Sequence, residues 1–438
     1  MGEGSDAGEI ACIDAVLAQR RERTVTRRGP WRYPSHMSTS ALHHPAGSAS
    51  AGALVDLDTA AEAFALPPGV RYLDTASKGP RLHRALVAGQ AALAESIAPW
   101  TLSFDAWRAQ IEDLRALAAA TVFSGDGEGV AMVPSAAYGL AIAARQVPLA
   151  PGDAVLLLDG QFPSNLLAWQ QRCAESGAHL AVVRRAPGQD WTDAVLATLD
   201  AQPRVRVATL PNAYWRDGGL LDLDRIAPRV HAAGAMLVLD VSQSLGVLPV
   251  RLDAWRPDFV VSVGHKWLLG PMGLAWLWAS PHWRAHGVPF EQHWQARDPG
   301  ADWQFPAEAP PPYRSGARRF DAGGVADPLR LAMASAALQQ VQQWQPARIA
   351  QRLGALGAAF DAELHALGAG DWTVPGHAPH LYALRPPASS MPALLPWLQH
   401  AQVICTHRHG ALRIAPYLQL TPEAMRGLAQ EMVAAARA

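Results

Sequence analysis

Lysine is almost missing from this chain of 438 residues: among 37 lysines and arginines only Lys78 and Lys266 are lysines. Cysteine is equally sparse. Cys12, Cys173 and Cys405 lie far apart and are odd in number, which excludes a disulfide framework and points to a reducing, cytoplasmic setting. Charged residues make up only 17% and sum to −1, so the basic footprint of a nucleic-acid binder is absent at the level of the whole chain. The uncharged stretches Gly129 to Ala144 and Trp267 to Ala279 are too short for a membrane span and contain proline or glycine. Residues 1–50 lack the apolar run of a secretory signal, and Glu3, Asp6, Glu9, Asp14 and Glu22 make them too acidic for a transit peptide. They read as a flexible extension, within which Met37 offers an alternative start.

Where arginine replaces lysine wherever a generic cation suffices, a surviving lysine can be one that chemistry requires. Guanidinium stays protonated, whereas a desolvated amine can lose its proton and attack a carbonyl to form a Schiff base. Half of the residues are apolar, enough for a large core plus a smaller second one.

From Val70 onward, short apolar runs alternate with alanine-rich helical ones. The runs are Val130 to Val133, Ala154 to Leu158, Leu180 to Val183, Val205 to Ala208, Ala235 to Leu239 and Phe259 to Val263. Strands apolar at nearly every position are buried on both faces, so the pattern predicts an α/β domain with a mainly parallel sheet. Asp222 or Asp224 caps the helix before Ala235, and Gly234 ends it. The proline-rich segment Pro306 to Pro312 then breaks the alternation. Residues 51–320 read as a large domain and 321–438 as a smaller α+β domain.

Two strand ends carry the chemistry. Asp240 closes the run Met236 to Asp240, and Lys266 follows the run Phe259 to Val263 by three residues. Open α/β sheets bind ligands at the carboxyl ends of their strands. A dry aspartate needs a cationic partner; a protonated pyridine nitrogen is one, and the pairing makes the ring an electron sink. A neighbouring lysine would hold the ring's aldehyde as a Schiff base, with Gln243 at the ring hydroxyl and His265 at the phosphate or the Schiff base.

The D-x-x-Q-x-x-G run at Asp240 to Gly246, followed by H-K-W-x-x-G-P at His265 to Pro271, resembles the class V aminotransferase-like enzymes of fold type I. These bind pyridoxal 5′-phosphate (PLP), and their relatives include cysteine desulfurases, kynureninases and isopenicillin-N-epimerase-like proteins. The resemblance implies a seven-stranded-type large domain and a homodimer with shared active sites. Val133 to Gly139 is similar to the family's phosphate-cradling turn, with Ser135, Ala136 and Ala137 at a helix N-terminus. Threonines common there are missing, which shifts the work to backbone amides. Phe162 corresponds to the aromatic stacked on the pyridine ring; desulfurases have histidine at that position and kynureninases phenylalanine. Asn212 corresponds to a residue near the ring hydroxyl. Gly324, in Arg318 to Gly324, replaces the threonine through which the neighbouring subunit reaches the phosphate. Arg413 matches the arginine that grips the substrate α-carboxylate, a task suited to a planar guanidinium. Lys78 lies in the first loop, Tyr72 to Pro80, which faces the site, and is a candidate for substrate contact.

The implied activity acts on an amino acid through an external aldimine and a Cα carbanion. A lyase eliminating a β- or γ-substituent, or an aminotransferase, is expected, with an epimerase or a desulfurase-like enzyme as alternatives and a ligand sensor or scaffold as the non-enzyme alternative. Cys405 sits on an apparent strand, not on the mobile loop a desulfurase needs. Cys405, His407 and His409 alternate as metal ligands could, but are read as incidental. No metal is expected, and neither a Walker A nor a G-x-S-x-G motif is present.

Overall fold

The computed structural model describes residues 56–438, apart from 187, 302 and 409. The expected N-terminal extension therefore lies outside the described residues. The described residues form one compact unit.

β1 (Arg71–Tyr72) precedes a seven-stranded sheet built from β2 (Val130–Val133), β3 (Ala154–Leu158), β4 (His179–Val183), β5 (Val205–Leu210), β6 (Met236–Asp240), β7 (Phe259–Val263) and β8 (Ala275–Ala279). The order is β2-β8-β7-β6-β5-β3-β4. Neighbouring strands from β7 across to β4 pair in parallel, whereas β8 runs antiparallel to both β7 and β2. Strand alternation divides each apolar run between two cores. Leu156 and Leu158 of β3, with Leu237 and Leu239 of β6, enter one core; Val155, Met236 and Val238 enter the other. Both faces are thus covered, which is why β3 and β6 carry no polar residue before their ends.

The expected strands are all present, and β8 is an addition. Trp276 and Trp278 carry it into the core, 1% and 5% exposed. Asp222 caps the helix Leu223–Ala232 by accepting from the amides of Asp224 and Arg225, while Asp224 accepts from the Trp255 indole. Gly234 takes a left-handed conformation at φ 68° before β6.

The later part of the chain contributes β9 (Tyr382–Leu384), β10 (Val403–Ile404), β11 (Thr406–Arg408) and β12 (Ala411–Ile414). β11, β12 and β9 form an antiparallel sheet, with Thr406 opposite Arg413 and Arg413 opposite Ala383. β1 pairs in parallel with β10. Just beyond β1, Leu73 donates to Ile404 and accepts from Ala415. The first loop is thereby pinned to the strands that carry Arg413.

Candidate active site

Carboxyl ends of five strands of the large sheet converge on one cavity of about 350 Å³. Ser135 follows β2, Phe162 follows β3, Pro211 follows β5, Asp240 ends β6 and Lys266 follows β7; all five line it. Gln243, His265, Ala136, Ala137 and Arg413 line it as well.

Lys266 is 9% exposed and Asp240 7% exposed, yet neither closes an ion pair among the described residues. Burial, only partly countered by Asp240, lowers the Lys266 amine to about 8. Burial likewise raises the Asp240 carboxyl, against the hydrogen bonds from Ser242 and the charge of Lys266. The Ser242 amide donates to Asp240 Oδ1 at 3.1 Å. Lys266 Nζ lies 5.4 Å from the centroid of the Phe162 ring, which stands edge-on to Trp215 at 5.4 Å. A buried acid and a buried amine share one cavity, each without the partner that burial demands.

Around this pair the donors face inward. Ser135 caps the helix Ala136–Gln146 by accepting from the Tyr138 amide, and the first turn of that helix opens on the cavity, where unpaired N–H groups suit an anion. Gln161 also lines the cavity, and its Nε2 is buried without a partner. Gln243 donates from Nε2 to the Ala76 carbonyl at 3.0 Å and accepts from the Trp267 indole at 3.2 Å. Burial, with the charges of Lys266, Arg81 and Lys78, lowers His265 to about 4, so its imidazole is neutral at pH 7. An amine free to bond an aldehyde, an acid lacking a cation and a helix N-terminus for an anion form a donor set that fits PLP.

Arg413, 7% exposed, is held by several bonds. Its Nη2 donates to Asp74 Oδ1 at 3.0 Å, to Ser77 Oγ at 2.5 Å and to Thr406 Oγ1 at 3.4 Å, and Nη1 donates to the Trp215 carbonyl at 3.3 Å. Arg413 Nε has no partner. The first loop is seated on Lys266 itself, since the Gly79 amide donates to the His265 carbonyl at 2.8 Å. A Cβ at Gly79 would fall 2.2 Å from the Lys266 carbonyl oxygen, so only glycine fits that approach.

Three expected site residues are not among those lining this cavity, and one of them, Gly324, was expected at the phosphate of a neighbouring subunit. Asn212 is buried between the lining residues Pro211 and Ala213, and its Oδ1 accepts from the Ser244 hydroxyl on the turn after β6. Lys78 is exposed in the first loop and is not among the cavity residues. Gly324 is exposed, left-handed at φ 72°, and also outside the cavity. Cys405 lies between β10 and β11, and burial, then the charge of Asp74, pushes its thiol up to about 12. His409 lies outside the described residues. Sequence reasoning passed over Asp74, Ser77, Thr406, Gln161, Trp215 and Arg408. Asp74 and Ser77 stood within the first loop, already singled out, and Arg408 between two histidines weighed only as metal ligands.

A mainly parallel seven-stranded sheet with a lysine and an aspartate at adjacent strand ends defines a fold type I PLP enzyme. The sequence model of the family "Aminotransferase class-V" matches residues 72–375, and the chain belongs to that family. It is a PLP-dependent enzyme that transforms an amino acid. The chain is 27% identical to the "Uncharacterized aminotransferase YcbU" of Bacillus subtilis over 329 residues, 72% of this chain and 81% of that protein. It is 29% identical to a "Cysteine desulfurase" of Klebsiella pneumoniae over 232 residues, 50% of this chain and about half, 55%, of that protein. The structure of the "cystine C-S lyase C-DES" in complex with its reaction product superposes with a TM-score of 0.72 at 20% identity, over 83% of this chain and 97% of that one, a likeness of fold. Among the described residues no helix is long and apolar enough to cross a membrane.

Proposed function

We propose that the enzyme is a lyase that expels a β- or γ-substituent, or an aminotransferase, with Lys266 as its catalytic base. The observation that carries this reading is the buried, unpaired Lys266 and Asp240 in one cavity with Arg413. In this reading Lys266 holds the cofactor, and Asp240 supplies the fixed negative charge that keeps the pyridine nitrogen protonated. Phe162 would pack against the ring, Gln243 would serve its hydroxyl, and Ser135, Ala136 and Ala137 would offer the helix N-terminus to its phosphate. When bound, PLP takes up the electron pair left at Cα. Arg413 binds the α-carboxylate, and Lys266, once displaced, takes the proton from Cα. An amine of pKa about 8 suits that task, because it is part neutral near pH 7 and returns the proton readily. His265, neutral at pH 7, is available as a hydrogen-bonding partner without adding charge.

Two features favour elimination or transamination over desulfuration. Phe162 stands where desulfurases carry a titratable histidine, and Cys405, its thiol pushed up to about 12, is no thiolate nucleophile at neutral pH. A cytoplasmic homodimer belongs to the same proposal. Gly324 is left to reach a neighbouring subunit's phosphate through its backbone, and the exposed Ile97 and Trp100, each 81% exposed, suit a buried subunit interface. The test is a panel of amino acids with products identified by mass spectrometry. A keto acid is expected, accompanied by a released side-chain fragment for a lyase. If no amino acid yields a keto acid, a fragment or solvent deuterium at Cα, the proposal fails.

A further inference from the structure

A second, smaller cavity of about 130 Å³ adjoins the first and shares Trp215, Arg408 and Arg413 with it. Four arginines, Arg216, Arg385, Arg408 and Arg413, line it, and no aspartate or glutamate does. Arg413 is paired with Asp74, but Arg216, Arg385 and Arg408 close no ion pair among the described residues. Trp215 holds two of them in place, with the Arg216 and Arg408 guanidinium carbons 5.3 and 5.8 Å from its ring centroid. Strand pairing creates the space: Arg408 faces Ala411 across β11 and β12, and Arg413 faces Ala383 across β12 and β9. Two alanines at the lining leave open what larger side chains would fill.

Like charges gathered around one concavity repel one another, and an anion seated there relieves the repulsion while accepting several charge-assisted hydrogen bonds. We propose that the substrate is an acidic amino acid whose side-chain anion, a carboxylate or an equivalent oxyanion, occupies this cavity while Arg413 holds the α-carboxylate. The inference rests on the substrate role given to Arg413 above. It narrows the substrate to molecules with two anionic groups and one amine, and makes Arg385 and Arg408 specificity residues.

Calorimetry on the holoenzyme with amine-free acids tests the site without any chemistry at the cofactor. Succinate and glutarate should bind at least about tenfold more tightly than propionate and butyrate. Replacing Arg385→Gln and Arg408→Gln together should weaken the dicarboxylates by about tenfold or more and leave the monocarboxylates within about twofold. Both residues are exposed, and an unchanged melting temperature shows that the fold survives. Equal affinity for mono- and dicarboxylates, or equal weakening of both in the double variant, overturns the proposal. Inorganic phosphate that competes as well as glutarate also overturns it, because the cavity would then serve a free anion. Failure of the cofactor assignment reads differently: borohydride would fix PLP somewhere other than Lys266 while discrimination between the acids persisted.

Discussion

The depressed proton affinity of Lys266 makes a quantitative prediction about cofactor capture. Burial, partly offset by Asp240, lowers the amine from the ordinary 10.5 to about 8. At pH 7 an amine of pKa about 8 is roughly one-tenth neutral, against about one in 3000 for an ordinary lysine, a gain of about 300-fold in reactive amine. The assay mixes cofactor-stripped enzyme with PLP between pH 6 and pH 11 and follows the visible band, dividing at each pH by the rate per neutral amine of Nα-acetyl-lysine amide to remove the cofactor's own titration. The corrected rate should rise tenfold per pH unit and level off near pH 8. Because Asp240 favours the charged amine, Asp240→Asn should move the break below that of the wild type. A break near 10.5, or an Asp240→Asn break that stays put or rises, would refute the reasoning.

Two substitutions test the packing that positions the site. Gly79→Ala drives a Cβ against the Lys266 carbonyl oxygen and the Leu269 side chain, so it should cost about 1–3 kcal/mol in denaturant unfolding and speed cofactor loss; an unchanged midpoint and retention would count against this contact. Arg115 is 1% exposed and bonds Asp321, Glu112 and the Val130 carbonyl, tying the segment before Gly324 to β2. Arg115→Leu leaves Asp321, its side chain 10% exposed, without its cation and should destabilise by about 3–5 kcal/mol, with a loss under about 1 kcal/mol excluding that role.

The parallel sheet was legible because strands buried on both faces are apolar throughout, as in Ala154 to Leu158. β8 was not, because Trp276, Leu277 and Trp278 follow a glycine-proline turn and read equally well as packing residues. Asp240 and Lys266 were legible because each sits at or just after the carboxyl end of an unmistakable strand. Asn212 likewise follows a strand, but the Ser244 hydroxyl that bonds its Oδ1 is one that only the fold brings near. Arg408 could not be read as a cavity residue without the pairing that sets it across from Ala411 and beside Trp215. The arginine-lined cavity exists only once β9, β11 and β12 are aligned.

The scarcity of lysine makes the central claim unusually simple to test. Borohydride reduction of the purified enzyme, followed by peptide mass spectrometry, should place the reduced cofactor on the peptide containing Lys266, and Lys266→Ala should carry none. Lys78 is the only other lysine side chain that could take its place. A reduced adduct on the Lys78 peptide, or any adduct surviving in Lys266→Ala, would contradict the assignment of Lys266 as the residue that holds the cofactor.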